Sequence, residues 1–308
     1  MNKRSKIAII GSNFIIGKNI YNTLKEQDYK NLYKINVHSK NKNLKNTINN
    51  FINKNKPNYI FVNVGDYGGI KKNLTYPADL MIDNLICSSI VLSSSIRPFI
   101  KKLIYFSSSC IYPKISKQPL KTNYLLSSNL ENTNLHYAIS KISGTYLCDA
   151  INKQYNKNFI TLIPSNYFGP HDDYSKDNSH LISALILKFH QAKIKNKSHV
   201  KLWGSGKPIR DFTYIDDVVY ASILIMQKNL KNKIINISSG NLFSVKQIAN
   251  IIKNIVGFKG NIIFDNSISD GMKIKTLDNS EIKKIGYKFK RNFEKDLLHT
   301  YEWFKRNI

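Results

Sequence analysis

An apolar run that stops at a glycine, residues 6–10 before Gly11, opens the chain, and runs of the same kind recur with room for one helix between them. This recurrence constrains the fold most. Residues 32–37, 59–64, 102–107, 159–164 and 234–238 read as strands. Residues 17–26, 44–53, 83–96, 136–155 and 216–227 read as helices, the third stopped by Pro98. Strand-helix alternation implies right-handed crossovers and a parallel sheet covered on both faces. The predicted class is α/β, a Rossmann-like doubly wound parallel sheet with a smaller C-terminal α/β domain. Near Asn166 the pattern shifts to loops rich in Gly, Pro, Asp and Asn, with helices at 181–192 and 245–256. The expected division is 1–165 plus about 212–240 for the first domain, and about 166–211 plus 241–308 for the second.

The charge balance narrows the partners. Lys and Arg total 47 against 20 Asp and Glu, a net charge of +27, yet only five of the 47 are Arg. The Lys residues are spread along the chain and accompany 38 Asn, a bias that acts everywhere at once. A reader of nucleic acid uses Arg for bidentate contacts to bases and phosphate. No nucleic-acid partner is expected; the charge steers anionic small molecules. No apolar run approaches the length of a membrane span, so no membrane partner is expected. The basic, apolar start mimics a signal peptide, but Ser12 and Asn13 interrupt it. Cys87, Cys110 and Cys148 are odd in number and lack Cys-x-x-Cys spacing. They point away from a zinc site or disulfide framework and toward a reducing, cytoplasmic setting.

Between the first strand and first helix lies Gly11-Ser12-Asn13-Phe14-Ile15-Ile16-Gly17. Doubly wound sheets place a dinucleotide pyrophosphate at this turn, against the N–H groups of the helix N-terminus. The middle glycine of the usual Gly-x-x-Gly-x-x-Gly spacing is Phe14, so the turn alone fits either nucleotide binding or a plain tight connection. The second strand ends at Val37 without the acidic residue that accepts the ribose hydroxyls of NAD. His38 and Lys40 stand there and suit a 2′-phosphate, which favours NADP(H), although exposed basic residues are common in this chain.

Tyr137 and Lys141 are four apart on a helix and share a face. A Lys ammonium beside a Tyr hydroxyl favours the phenolate. A Ser at a neighbouring strand end can hold the same substrate oxygen while a nicotinamide moves a hydride. Four Tyr-x-x-x-Lys matches occur, at Tyr21, Tyr67, Tyr137 and Tyr301, close to what 18 Tyr and 42 Lys give by chance. Position selects Tyr137, which opens a long helix about thirty residues after the strand ending in Ser107-Ser108-Ser109-Cys110.

Ser107 to Lys114 resembles the signature of GDP-L-fucose synthase, an extended short-chain dehydrogenase/reductase. The resemblance continues in Gly68-Gly69-Ile70, Tyr76-Pro77-Ala78-Asp79, Asn134 to Lys141 and Tyr167 to Asp172. It extends through Asn178-Ser179-His180, Trp203 to Gly206, Arg210-Asp211-Phe212, Asp270-Gly271 and Thr300 to Phe304, nearly the whole chain. It implies epimerisation at C3 and C5 of GDP-4-keto-6-deoxy-D-mannose, then reduction at C4 by NADPH. Cys110 would be the epimerising base and His180 the acid. Ser108 and Tyr137 would polarise and protonate the C4 oxygen, and Lys141 would hold the nicotinamide ribose.

By the same matching, the cofactor would lie against Gly11 to Gly17, His38, Phe106 to Ser109, Lys141, Pro164-Ser165-Asn166-Tyr167 and His180. Lys188, Trp203, Arg210 and Asp270 would face the GDP-sugar. The first domain would bind NADP and the second the nucleotide-sugar. The resemblance also implies a homodimer formed through the helices at 83–96 and 136–155. No metal is expected. The alternatives are an epimerase or 4-reductase for another GDP-4-keto sugar, such as a 6-deoxyheptose, and a non-catalytic nucleotide-binding scaffold.

Read without the resemblance, Cys110 fits a small buried residue, His180 a helix cap and Arg210 an ion-pair partner of Asp211 or Asp216. Phe14, Asn13 (for an Arg), Lys188 (for an Arg) and the stretch 62–66 depart from the family pattern. Phe14 is expected to crowd the pyrophosphate.

Overall fold

Six strands form one parallel sheet in a computed structural model that describes residues 1–308 apart from 176–178, 268–269 and 290. In chain order the first half runs β1 (Lys6–Ile10), α1 (Ile15–Glu26), β2 (Asn31–Ile35), α2 (Leu44–Asn55), β3 (Tyr59–Val62), α3 (Ile70–Thr75), α4 (Pro77–Ser94), β4 (Lys102–Phe106), α5 (Leu135–Tyr155) and β5 (Phe159–Pro164). There follow β6 (Asn166–Phe168), α6 (Leu181–Ile194), β7 (His199–Trp203), β8 (Ile209–Tyr214), α7 (Ile215–Gln227) and β9 (Ile234–Ile237). The chain closes with β10 (Asn241–Ser244), α8 (Val245–Val256), β11 (Asn261–Asp265), β12 (Ile274–Lys275), α9 (Ser280–Lys284) and α10 (Phe293–Asn307).

The sheet order is β2-β1-β3-β4-β5-β9, every pair parallel. The order reverses between β1 and β3, which opens a crevice at their C-terminal ends. Side chains alternate across the sheet. Ile7, Ile9, Phe61, Ile104, Phe106, Ile160 and Leu162 pack to one side, against α1 and α7. Ala8, Ile10, Ile60, Val62, Leu103, Tyr105 and Phe159 pack to the other, against α2, α4 and α5. Every residue of β4 and β5 is buried, which is why both read as continuous apolar runs. Each large apolar side chain buried this way contributes roughly 1.5–3 kcal/mol.

The element boundaries moved where capping outweighs periodicity. α4 begins six residues earlier than the apolar spacing indicated. Pro77 occupies its first turn, where the missing N–H costs nothing, and Asp79 complements the helix dipole. The smaller sheet holds β10, β8 and β12, with β6 also on β8, while β7 and β11 pair separately. Phe212 to Tyr214 pair with β6, and Phe212 also with β10, in this smaller sheet, after which α7 leads back to β9 of the large one. The chain is pulled into the smaller sheet by Phe212 and Tyr214, whose rings pack on Phe293 and Phe168 of the same core.

Close approach of α5 to β4 positions the first catalytic candidates. A Cβ on Gly144 would lie 2.4 Å from the Tyr105 hydroxyl oxygen and 2.6 Å from its ring. Tyr105 is fully buried and hydrogen-bonded to Ser88 at 3.2 Å, so it has no room to yield. Gly144→Ala is expected to lower unfolding stability by about 1–3 kcal/mol through overpacking, read from the urea midpoint. An unchanged midpoint would mean that α5 can slide freely on the sheet.

Candidate active site

The strand β4 ends at Phe106, and past Ser107 and Ser108 the chain enters a short 3-10 turn at Ser109–Ile111. Ser108 caps that turn, accepting from the Cys110 N–H at 3.3 Å. Ser108 lies near enough to Tyr137 to favour its ionised form. Ser107 to Cys110, Tyr137, Pro164 to Tyr167, Tyr67, Gly68 and His180 line one cavity of about 110 Å³. Lys141 lies behind Tyr137, its ammonium 5.8 Å from the ring centroid and donating to the Val64 carbonyl at 2.9 Å.

The electrostatics of this pair differ from the expectation. Burial pushes the Tyr137 phenol well above its ordinary value, with Cys110 and Tyr167 adding to the rise and Ser108 opposing it. Burial also lowers Lys141 to about 8. Desolvation therefore outweighs the phenolate-favouring effect of the ammonium, and Tyr137 holds its proton.

Cys110 is partly exposed, unlike the buried Cys87 and Cys148. Asn134 donates to its sulfur at 3.2 Å, and the Lys275 ammonium stands 3.7 Å away. Arg210 is near enough to feel its charge. These donors around a partly exposed sulfur set Cys110 apart from the two buried cysteines. Arg210 itself donates to the carbonyls of Ile209 at 2.9 Å and Met272 at 2.7 Å. It pairs with neither Asp211 nor Asp216; Arg291 takes Asp216 at 3.0 Å.

His180 does occupy the N-cap position of α6, but its side chain makes no cap bond. The ring turns to Asp172, with Nδ1 3.1 Å from a carboxylate oxygen that is wholly buried. Burial disfavours the charged imidazole, yet Asp172, with help from Asp173, outweighs it and raises His180 above its ordinary value. Protonated imidazole beside a ketone sugar is a general acid. Asn178 of the expected Asn-Ser-His element lies outside the described residues.

The nucleotide turn is built on two glycines. Gly11 has φ +87°, and a Cβ there would meet the Asn63 carbonyl oxygen at 1.7 Å. A Cβ on Gly17 would lie 2.3 Å from the Gly11 carbonyl oxygen. Phe14 is the extended N-cap of α1, a conformation that needs no glycine. Its ring leans toward Tyr67, centroids 5.6 Å apart. Asn13, Phe14, Ile15 and Lys18 line a second, larger cavity of about 540 Å³ with Asp66, Tyr67 and residues 171–175. Tyr67 lines both cavities. Ile16 and Phe106 put their side chains in the core and line neither. Ser12 bonds to Asn36 at 2.8 Å.

His38 stands exposed on the rim, 3.5 Å from Asp83, whose other oxygen accepts the Asp66 N–H at 2.7 Å. Lys188, Trp203, Arg210 and Asp270 lie outside both cavities. The Lys188 ammonium sits 5.6 Å from the Trp203 ring centroid, and Asp270 ties Ser205 by its N–H at 2.7 Å and hydroxyl at 2.6 Å. Among the described residues no cluster suits a metal ion.

Residues 7–238 match the family model described as the NAD dependent epimerase/dehydratase family. A putative GDP-L-fucose synthase 2 from Arabidopsis thaliana is 35% identical over 309 residues, covering 100% of this chain and 94% of that protein. The chain belongs to the NAD dependent epimerase/dehydratase family. The GDP-L-fucose synthase of Escherichia coli is 36% identical over 84% of each chain. Among solved structures, a GDP-6-OMe-4-keto-L-xylo-heptose reductase from C. jejuni superposes with a TM-score of 0.91 at 29% identity, over 100% of this chain and 99% of that one. The GDP-mannoheptose C4 reductase MlghC from Campylobacter jejuni, solved with NADP bound, gives 0.86 at 31% identity, over 99% of each chain.

Sequence reasoning passed over four members of this family site. Tyr67 was counted only as one chance Tyr-x-x-x-Lys match, although it precedes Gly68-Gly69 at the crevice. Asp172 and Asn134 lie inside quoted motifs without a role, and Lys275 arrives from β12 with no local signal.

Lys141 yields a pH test. Its folded-state pKa of about 8 lies below the unfolded value of 10.5, so unfolding takes up protons between those pH values. Stability from this group therefore rises with pH across that window and is at its lowest below pH 8. Lys141→Met is expected to be more stable than the natural protein at pH 7, with the gap closing from pH 8 to 10.5 in urea titrations. A gap that is constant with pH would contradict the buried, proton-shedding Lys141.

Proposed function

We propose that this chain is an NADPH-dependent epimerase-reductase of GDP-4-keto-6-deoxy-D-mannose, yielding GDP-L-fucose. One observation carries the reading: a thiol ringed by donors, an Asp-backed imidazole and a protonated Ser-Tyr pair share a single small cavity. The names of the relatives agree with it.

The cofactor fits the residues present. The two glycines bring backbone close at the α1 N-terminus, where N–H groups receive phosphate. Gly11 to Gly17 and His38 would hold the nucleotide end, and Lys141, Ser107 to Ser109 and Pro164 to Tyr167 the nicotinamide end. NADPH supplies the hydride for C4. The protein does the proton chemistry. A C4 ketone acidifies the protons at C3 and C5. Cys110 takes such a proton from carbon, and the charge moves onto the C4 oxygen, which Ser108 and Tyr137 hold. His180 returns a proton to carbon on the other face. Tyr137 gives its proton to the C4 oxygen during reduction, and the neighbouring Lys141 supports the resulting charge. Lys188, Trp203, Arg210 and Asp270 receive the GDP-sugar from the smaller domain, with residues 1–165 and α7–β9 forming the NADP-binding one.

A reading as a reductase of another GDP-4-keto sugar has one observation in its favour, the 0.91 TM-score to a heptose reductase. The same cavity serves both, and the donors around Cys110 favour the epimerising reading. We also assign a homodimer. Ile82, Ile86 and Tyr146 leave an apolar strip exposed along α4 and α5, a surface that a second copy would cover. A cytoplasmic location suits the three free thiols, and no helix among the described residues is long and apolar enough to cross a membrane.

The test separates the two stages. Tyr137→Phe is expected to cut NADPH oxidation about 10²–10⁴-fold while solvent hydrogen still exchanges into the sugar. Cys110→Ser is expected to lose exchange and GDP-L-fucose formation together. Exchange that survives in Cys110→Ser at the natural rate would remove Cys110 from the mechanism and leave a plain 4-reductase.

A further inference from the structure

Tyr67 sits where a loop is tied from several sides. Asp83 accepts the Asp66 N–H at 2.7 Å, Asn84 donates to the Asp66 carbonyl at 2.7 Å, and the Tyr67 N–H donates to Asp66 Oδ1 at 2.8 Å. Lys72 donates to the Tyr67 carbonyl at 3.1 Å. The ring this loop presents lies parallel to the His180 imidazole, 3° between planes and 4.9 Å between centroids. Phe14 backs the same ring at 5.6 Å. Tyr167 meets His180 edge-on at 5.0 Å and 71°.

We propose that Tyr67 is a positioning residue for His180, holding the imidazole plane by stacking and favouring its protonated form through the ring face. This rests on His180 being the carbon acid of the proposed reaction. Two contacts fix the imidazole. Asp172 on Nδ1 sets its rotation and tautomer, and Tyr67 sets its plane. Nε2 is left as the nitrogen able to deliver a proton. A cation over an aromatic face is stabilised by the ring quadrupole, more so away from water. The stack therefore acts in the same direction as Asp172, against the desolvation that burial imposes on the imidazolium. Among the described residues, the titratable groups facing His180 are Asp172 and Asp173 after β6, Tyr167 on β6, Tyr67 itself, and Cys110 and Tyr137 across the shared cavity. Ser183 of α6 acts through its bond to Asp172. Phe14, which departs from the glycine pattern, braces Tyr67 from the nucleotide turn and is the residue that makes a stacked Tyr67 stable there.

Tyr67→Leu keeps apolar bulk and removes the ring face; Tyr67→Phe keeps the face and removes the hydroxyl. The His180 midpoint is read by NMR of the histidine-labelled full chain without substrate, its signal assigned by loss in His180→Asn. Tyr67→Leu is expected to lower the midpoint by roughly half to one pH unit, with thermal melting used to verify the fold. Tyr67→Phe is expected to restore the natural midpoint. With GDP-4-keto-6-deoxymannose, the alkaline limb of solvent-deuterium incorporation should move down with the midpoint in Tyr67→Leu and stay in place in Tyr67→Phe. An unmoved midpoint in a folded Tyr67→Leu overturns the proposal, as does a Tyr67→Phe that behaves like Tyr67→Leu. A natural protein that incorporates no deuterium overturns the epimerase reading instead, and the substrate-free titration still decides the stack.

Discussion

A buried ammonium joins the two halves of the site. Lys141 projects from α5, donates to the carbonyl of Val64 beyond β3, and stands beneath the Tyr137 ring. Burial makes this charge costly, so the bond to Val64 is needed to hold it. That bond fixes α5 against the crevice where the sheet order reverses. The glycine turn, the Tyr67 loop and the Ser108 turn all border the same crevice. The helix cannot shift without disturbing them together, because Gly144 leaves no spare space against Tyr105.

Two titratable groups of one small space are pushed by their surroundings in ways that serve the proposed reaction. Burial favours the neutral form of Tyr137, which would suit delivery of a proton to oxygen. Asp172 favours the charged form of His180 against burial, which would suit delivery to carbon. Cys110 differs from both, being turned toward donors and cations supplied by Asn134, Lys275 and Arg210. The three groups come from the large sheet, α5 and α6, while the cations around the sulfur come from the smaller sheet. The surroundings of the sulfur thus depend on the smaller sheet as well as the large one.

Much of this architecture was legible because its signals are local. Continuous apolar runs marked β4 and β5, and 3.6-residue spacing marked α8. The start of α4 was missed since Pro77 and Asp79 set it by capping rather than by periodicity. The motif around Cys110 identified the thiol, but its partners Asn134 and Lys275 arrive from distant segments. The rise imposed on Tyr137 by burial has no linear signal either, because desolvation depends on everything packed around a group and spacing reports only one neighbour. The Phe14 ring leans on Tyr67, a contact across two loops that no linear pattern encodes.

The most direct test is the reaction of the natural protein with NADPH and GDP-4-keto-6-deoxymannose in D₂O, followed by NMR of the product sugar. Deuterium at both C3 and C5 of an L-galacto product is the expected result. A reduced sugar with no deuterium at either carbon would contradict the account, since Cys110 and His180 would then share a cavity without moving a proton.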